Sequence, residues 1–128
     1  MTSTAGFALT ESTPLAIFTA QVEAFNAHDL DAFLATYSAE ADVISSAGST
    51  LSGRDAMREH YARRLATPGL RCDVLSTAPM GIRWLVAHEL VGDDLTCTEV
   101  IATFEMVDGV IRRSMLMIGD TRPRDDAP

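Results

Sequence analysis

After residue 70 the chain alternates long apolar-rich runs with tight polar turns: 70–78, 82–91, 95–107 and 110–118, with breaks at Gly92-Asp93-Asp94 and Asp108-Gly109. Asp-Gly between two apolar runs is among the strongest short-range hairpin signals, because both turn residues must take positive φ. The second half therefore reads as a meander of antiparallel strands. The first half has a different period. Phe18, Val22 and Phe25 share a helical stripe, and Leu30, Phe33, Leu34 and Tyr37 share another after a break at Asn26, His28 and Asp29. Helices followed by a run of strands predict an α+β domain.

Two polar groups lie on those apolar stripes. Gln21 falls three residues after Phe18 and four before Phe25, so its amide points into the buried face. An amide left there without partners costs roughly 1–3 kcal/mol. Tyr37 ends the second stripe, with helix two expected to stop near Tyr37 to Ala39. Thr13 caps the first helix and Pro14 opens it. Residues 42–46 read as a brief strand, 47–50 as a turn and Leu51 as the start of a return strand. Ser52 with Asp55 has the spacing of a capping box before a third helix, whose stripe is Met57, Tyr61 and Leu65 with His60 on its flank. Thr67-Pro68-Gly69 stops that helix. Residues 1–12 are expected to form a flexible arm, 13–118 the domain and 119–128 a frayed tail.

With 128 residues and a net charge of −8, the chain is one domain without the Lys and Arg clusters that recruit phosphate backbones or anionic membranes. The expectation is no nucleic acid and no membrane partner. No secretory signal opens the sequence, and Cys72 and Cys97 stand apart, which predicts a soluble, cytoplasmic protein with reduced thiols. No His-x-His, HExxH or CxxC spacing points to a metal, and no glycine loop opens a parallel unit to cradle a nucleotide, so no cofactor is expected.

Hairpin arithmetic assigns faces. With Val91 opposite Thr96, Glu89 lies opposite Thr98, and Leu85, Ala87, Glu89, Thr98, Val100 and Ala102 share one face. Trp84, Val86, His88, Glu99, Ile101 and Thr103 share the other, bulkier face, where His88 and Glu99 are placed to pair. One acid among small residues is the pattern of a hollow lined by the sheet. His88 and Glu89 cannot act on one molecule, since adjacent strand residues point opposite ways.

The phrases FNAHDLDAFLATYSAEADVIS, LSGRDAMREHY and FEMVDGVI, in that order, resemble the nuclear transport factor 2-like superfamily in its SnoaL-like and ketosteroid isomerase-like branch. The resemblance covers about residues 13–118. It implies a cystatin-like α+β barrel, a curved antiparallel sheet wrapped around three N-terminal helices into an open cone. It also implies a homodimer through the outer sheet face, with Trp84, Val86, His88 and Ile101 toward the partner. The ketosteroid isomerase site does not carry over. Its oxyanion tyrosine falls on Gln21, its general base on about Ser45 and its second acid on about Ala102, while two supporting tyrosines match at Tyr37 and Tyr61. Steroid isomerisation by that mechanism is excluded.

Glu89 is the candidate base, because desolvation on an apolar wall raises a carboxyl pKa toward the range that suits proton abstraction beside a carbonyl. The structural alternatives are a bulge that turns Glu89 to solvent, or an ion pair with Arg113. Tyr61 and Tyr37 are candidate hydrogen-bond donors to a ligand oxygen or, equally, plugs of the cone bonded to each other or to Gln21. Gln21, His60, Phe18, Phe25, Phe33, Ala102 and Met115 are the candidate ligand contacts. The functional expectation is a small-molecule-binding protein, acting as a cofactor-free isomerase, cyclase or dehydratase on a small apolar carbonyl compound. The alternative is a non-catalytic ligand-binding or structural dimer of the same fold.

Overall fold

A computed structural model describes residues 13–125, which form three helices and one six-stranded sheet. The arm expected at 1–12 and the last three residues of the expected tail lie outside the described residues. Helix α1, Pro14–Asn26, starts as predicted: the Ala16 amide donates to the Thr13 hydroxyl at 3.2 Å. It ends where His28 takes positive φ. Two side chains there tie it to the distant strand entry. Asn26 accepts from the Cys72 amide at 2.7 Å and donates to its carbonyl at 3.1 Å, while the His28 ring contacts the Leu70 carbonyl at 2.6 Å.

Helix α2, Leu30–Ala35, is capped by Asp29 and is shorter than its stripe suggested. Tyr37 is not on it but opens strand β1, Tyr37–Ser45. The carbonyls that a continuing helix would need are taken elsewhere: Thr36 accepts from the Ile111 amide at 2.8 Å, and Tyr37 accepts from the Arg54 guanidinium. After the short β2, Thr50–Ser52, helix α3 spans Arg54–Arg64. The expected capping box is absent. Ser52 is paired with Asp42 in the sheet, and Gly53, at φ 88°, makes the entry while its amide donates to Ala41. That backbone conformation suits glycine.

Strands β3 (Arg71–Met80), β4 (Trp84–Gly92), β5 (Thr96–Val107) and β6 (Val110–Pro123) form the meander. The sheet order is β2-β1-β6-β5-β4-β3. The meander is antiparallel as expected, and one further seam is parallel, where β1 runs beside β6. This is possible because β2, α3 and the strands β3 to β5 intervene, and a parallel pair needs such a long crossover. The β4–β5 register also differs, with Val91 opposite Thr98 and Glu89 opposite Val100. The slip is two residues, so every facing assignment survives it. Beyond Ile118, β6 continues instead of fraying: Thr121 pairs with Thr98, and buried Arg124 bonds Asp73 at 2.8 Å.

The helices pack on the concave side of this sheet. Phe18 meets Phe104 with ring centroids 5.3 Å apart, and Phe33 touches Phe25, Tyr37 and Tyr61 at 6.0, 5.3 and 4.6 Å. Phe33 is thus the hub of a four-ring cluster, in a residue class worth roughly 1.5–3 kcal/mol per buried side chain. Among the described residues no helix is long and apolar enough to cross a membrane.

Candidate ligand pocket

The helices do not fill the cone. A cavity of about 210 Å³ remains between α1, α3 and the inner sheet face. Its helical wall is Gln21, Phe25, Phe33, Tyr61 and Arg64, with Tyr37 at the base of β1. Its sheet wall alternates in from four strands: Cys72 of β3, Glu89 and Val91 of β4, Thr98, Val100 and Phe104 of β5, and Ser114, Leu116 and Ile118 of β6. This is the period-two inner face, which is why one carboxyl, one thiol and two hydroxyls appear among hydrocarbon.

Glu89 is 6% exposed and has no basic partner among the described residues. Arg113, the cation expected as its alternative partner, sits by Asp42 instead at 3.9 Å. The β3 irregularity falls between Val74 and Ser76, and Glu89 stays turned inward. Burial pushes its carboxyl up from 4.5 to about 7, against a smaller opposing pull from the thiol of Cys72, which donates to it. The same burial, reinforced by the negative charge of Glu89, pushes the Cys72 thiol far up, so it remains protonated and serves as the donor. Glu89 can therefore both take and return a proton near neutral pH.

Both tyrosines face it. Burial raises the Tyr37 phenol to about 12, and hydrogen bonds from Ser114 and Gln21 only partly offset this. Gln21 donates its amide to the Tyr37 oxygen at 3.2 Å, and Ser114 lies 3.5 Å away. Burial likewise raises Tyr61, whose hydroxyl has no hydrogen-bond partner among the described residues. The cavity thus offers a titrating carboxyl and two neutral phenols that keep donor capacity.

Of the residues singled out in the sequence, Glu89, Tyr61, Tyr37, Gln21, Phe25 and Phe33 line the cavity. Four do not. Phe18 is spent on Phe104, Ala102 is fully buried in the core, and Met115 neighbours Ser114 and so points to the outer face. His60 stands edge-on to the Tyr61 ring at 4.9 Å, behind the wall, where partial burial and then the charges of Arg63 and Arg64 lower its pKa. Sequence reasoning missed Cys72, Ser114 and Arg64. Cys72 could have been found by extending the face count from β4 to β3; Ser114 needed the bulged β5–β6 register, and Arg64 the curvature of the cone.

These features define a cone-shaped α+β domain with a polar-accented hollow on its concave side. The model of the SnoaL-like domain matches residues 18–114, and the chain belongs to that family. No functionally curated protein matches the sequence. Among solved structures, a cystatin-fold protein from Novosphingobium aromaticivorans superposes with a TM-score of 0.74 at 18% identity, over 81% of this chain and 97% of that one. A Kribbella flavida protein provisionally named a ketosteroid isomerase gives 0.74 at 13% identity, over 87% and 79%. A Sinorhizobium meliloti protein provisionally named a polyketide cyclase gives 0.70 at 19%, over 78% and 92%. At these identities the likeness is one of fold.

Proposed function

We propose that the pocket takes a small, largely apolar carbonyl compound and that Glu89 moves a proton on it without a cofactor. The observation that carries this is a buried carboxyl with its pKa near 7 on the wall of an apolar cavity shared with two neutral phenols. The Glu89 carboxylate removes a proton from the carbon beside the carbonyl, and the electron pair moves onto the carbonyl oxygen. Tyr61 and Tyr37 donate to that developing charge, with Gln21 holding the Tyr37 ring oxygen in place. Return of the proton to another carbon completes an isomerisation. Attack of the carbanion on a second carbonyl completes a cyclisation, and departure of a β-hydroxyl as water completes a dehydration. A cytoplasmic homodimer, closed through the outer sheet face, is the form proposed for the working protein.

The test does not need the natural substrate. Small cyclic ketones incubated in D₂O with the protein should exchange their α-protons faster than in buffer, with a rate rising through pH 7 and lost in Glu89→Gln. Ketones that bind, as judged by chemical-shift changes at cavity residues, yet show no protein-dependent exchange would remove the catalytic role and leave a binding protein. The cavity, about 210 Å³ against roughly 300–1,000 Å³ for usual small-molecule sites, limits the ligand to a small one in either reading.

A further inference from the structure

A second hollow, of about 140 Å³, abuts the first: Thr67, Leu70, Gly92, Asp93 and Thr96 line it, and Arg64, Val91 and Thr98 line both. Among the described residues, Arg64 is the one cationic side chain lining either hollow. It sits in the last turn of α3, is exposed, and forms no ion pair among the described residues, whereas its neighbour Arg63 pairs with Glu59 at 3.7 Å. Its charge reaches inward far enough to act on Tyr61. The acid in the outer hollow, Asp93, is already committed: its Oδ1 accepts from the amides of Leu95 and Thr96 at 2.9 and 3.0 Å.

From this layout, and resting on the pocket being a ligand site, we propose that the ligand is an elongated organic anion. Its acid group stays on Arg64 at the junction of the hollows, and its uncharged carbonyl end enters the inner cavity. The inner cavity is the poorer place for the anion, because its wall is largely hydrocarbon and the Glu89 carboxyl would be forced against a second negative charge. A cationic ligand seated across both hollows would lie against Arg64. A carboxylate, by contrast, meets a guanidinium fork that has no other acid to hold, and the planar fork matches carboxylate geometry. Arg64 also compensates locally for a chain of net charge −8, which otherwise repels an acidic ligand. If Arg64 served only the C-terminal dipole of α3, it would affect helix stability and leave ligand choice unchanged.

The experiment uses a matched pair, 3-benzoylpropanoate and its primary amide, with 3-phenylpropylamine as a cationic phenylalkyl control. Each is titrated into the wild-type protein, Arg64→Gln and Arg64→Lys at low and high salt, with chemical-shift changes at Phe25, Tyr61 and Val100 reporting entry. The expected result is that wild type binds the carboxylate about tenfold more tightly than the amide at low salt, a margin that shrinks with salt. Arg64→Gln should abolish the margin by weakening the carboxylate far more than the amide, and Arg64→Lys should retain part of it. Equal binding of carboxylate and amide by wild type, preference for the amine, or equal weakening of all probes in Arg64→Gln overturns the inference while the pocket assignment stands. Failure of all three probes to perturb the cavity overturns the pocket assignment itself, and this inference with it.

Discussion

The Glu89 carboxyl is a load on the fold as well as a candidate base. Its folded-state pKa is raised from 4.5 to about 7 by burial, so the native state holds a proton that the unfolded chain has already released between those values. Native protein binds more protons than unfolded protein in that window, so stability falls as pH rises from about 4.5 to about 7 and then levels off. The full difference is about 3 kcal/mol. Glu89→Gln cannot titrate, and urea denaturation should show it gaining on wild type across that window by up to this amount. Parallel stability curves for the two proteins would mean that Glu89 is solvated. Glu89 was legible in the sequence because strict alternation along 84–91 places it with Leu85 and Ala87, and an even register slip leaves that face unchanged. Cys72 needed the same face count carried across to β3. Ser114 and Arg64 were not legible, because one depends on a bulged β5–β6 register and the other on how a helix end curves around the hollow, and alternation carries neither.

At the scale of elements, the cavity depends on a clamp between parts far apart in the chain. Asn26 at the end of α1 bonds both backbone groups of Cys72, the residue of β3 that donates to Glu89. In the sequence Asn26 is a turn residue and nothing more, since a contact across 46 positions leaves no local mark. Asn26→Ala should lower stability by about 2 kcal/mol, because it strips partners from a partly buried backbone. It should also speed hydrogen exchange of the Cys72 amide specifically. Asn26→Asp should fall between the two, since it accepts from the amide but cannot donate to the carbonyl. An unchanged Cys72 exchange rate in Asn26→Ala would show that the Asn26 bonds do not hold β3 to α1, leaving packing and the His28–Leu70 contact. The same locality explains the other departures. Tyr37 leaves α2 for β1 because Ile111 and Arg54 capture the carbonyls at 36 and 37. Strand β6 runs on to Pro123 because Thr98 holds Thr121 and Asp73 holds Arg124. Element types were readable from periodicity; their ends were set by partners elsewhere in the chain.

For the whole molecule, the two faces of the sheet make different demands. The concave face is covered by helices. The convex face leaves Val86, Ile101 and Met115 half-buried on a monomer, beside Met117 at 65% and Met80 at 54% exposure. Apolar side chains left on one sheet face are what a partner surface would cover. The dimer proposed for the working protein covers this strip with a second copy of the same face, and the central His88–Glu99 pair at 2.6 Å then places a polar contact amid the apolar residues. A two-fold contact meets each residue twice, so one charge introduced on the strip enters the interface as two. Val86→Glu with Ile101→Glu should therefore convert a dimer of 13.8 kDa chains to monomer in light scattering at micromolar concentration. Amide-probe binding in the cavity should persist, because both substitutions lie on the opposite side of the sheet from Glu89. A wild-type protein that is already monomeric at that concentration sinks the dimer. Loss of cavity binding together with the dimer would instead mean that the cone keeps its shape only when a partner braces the sheet.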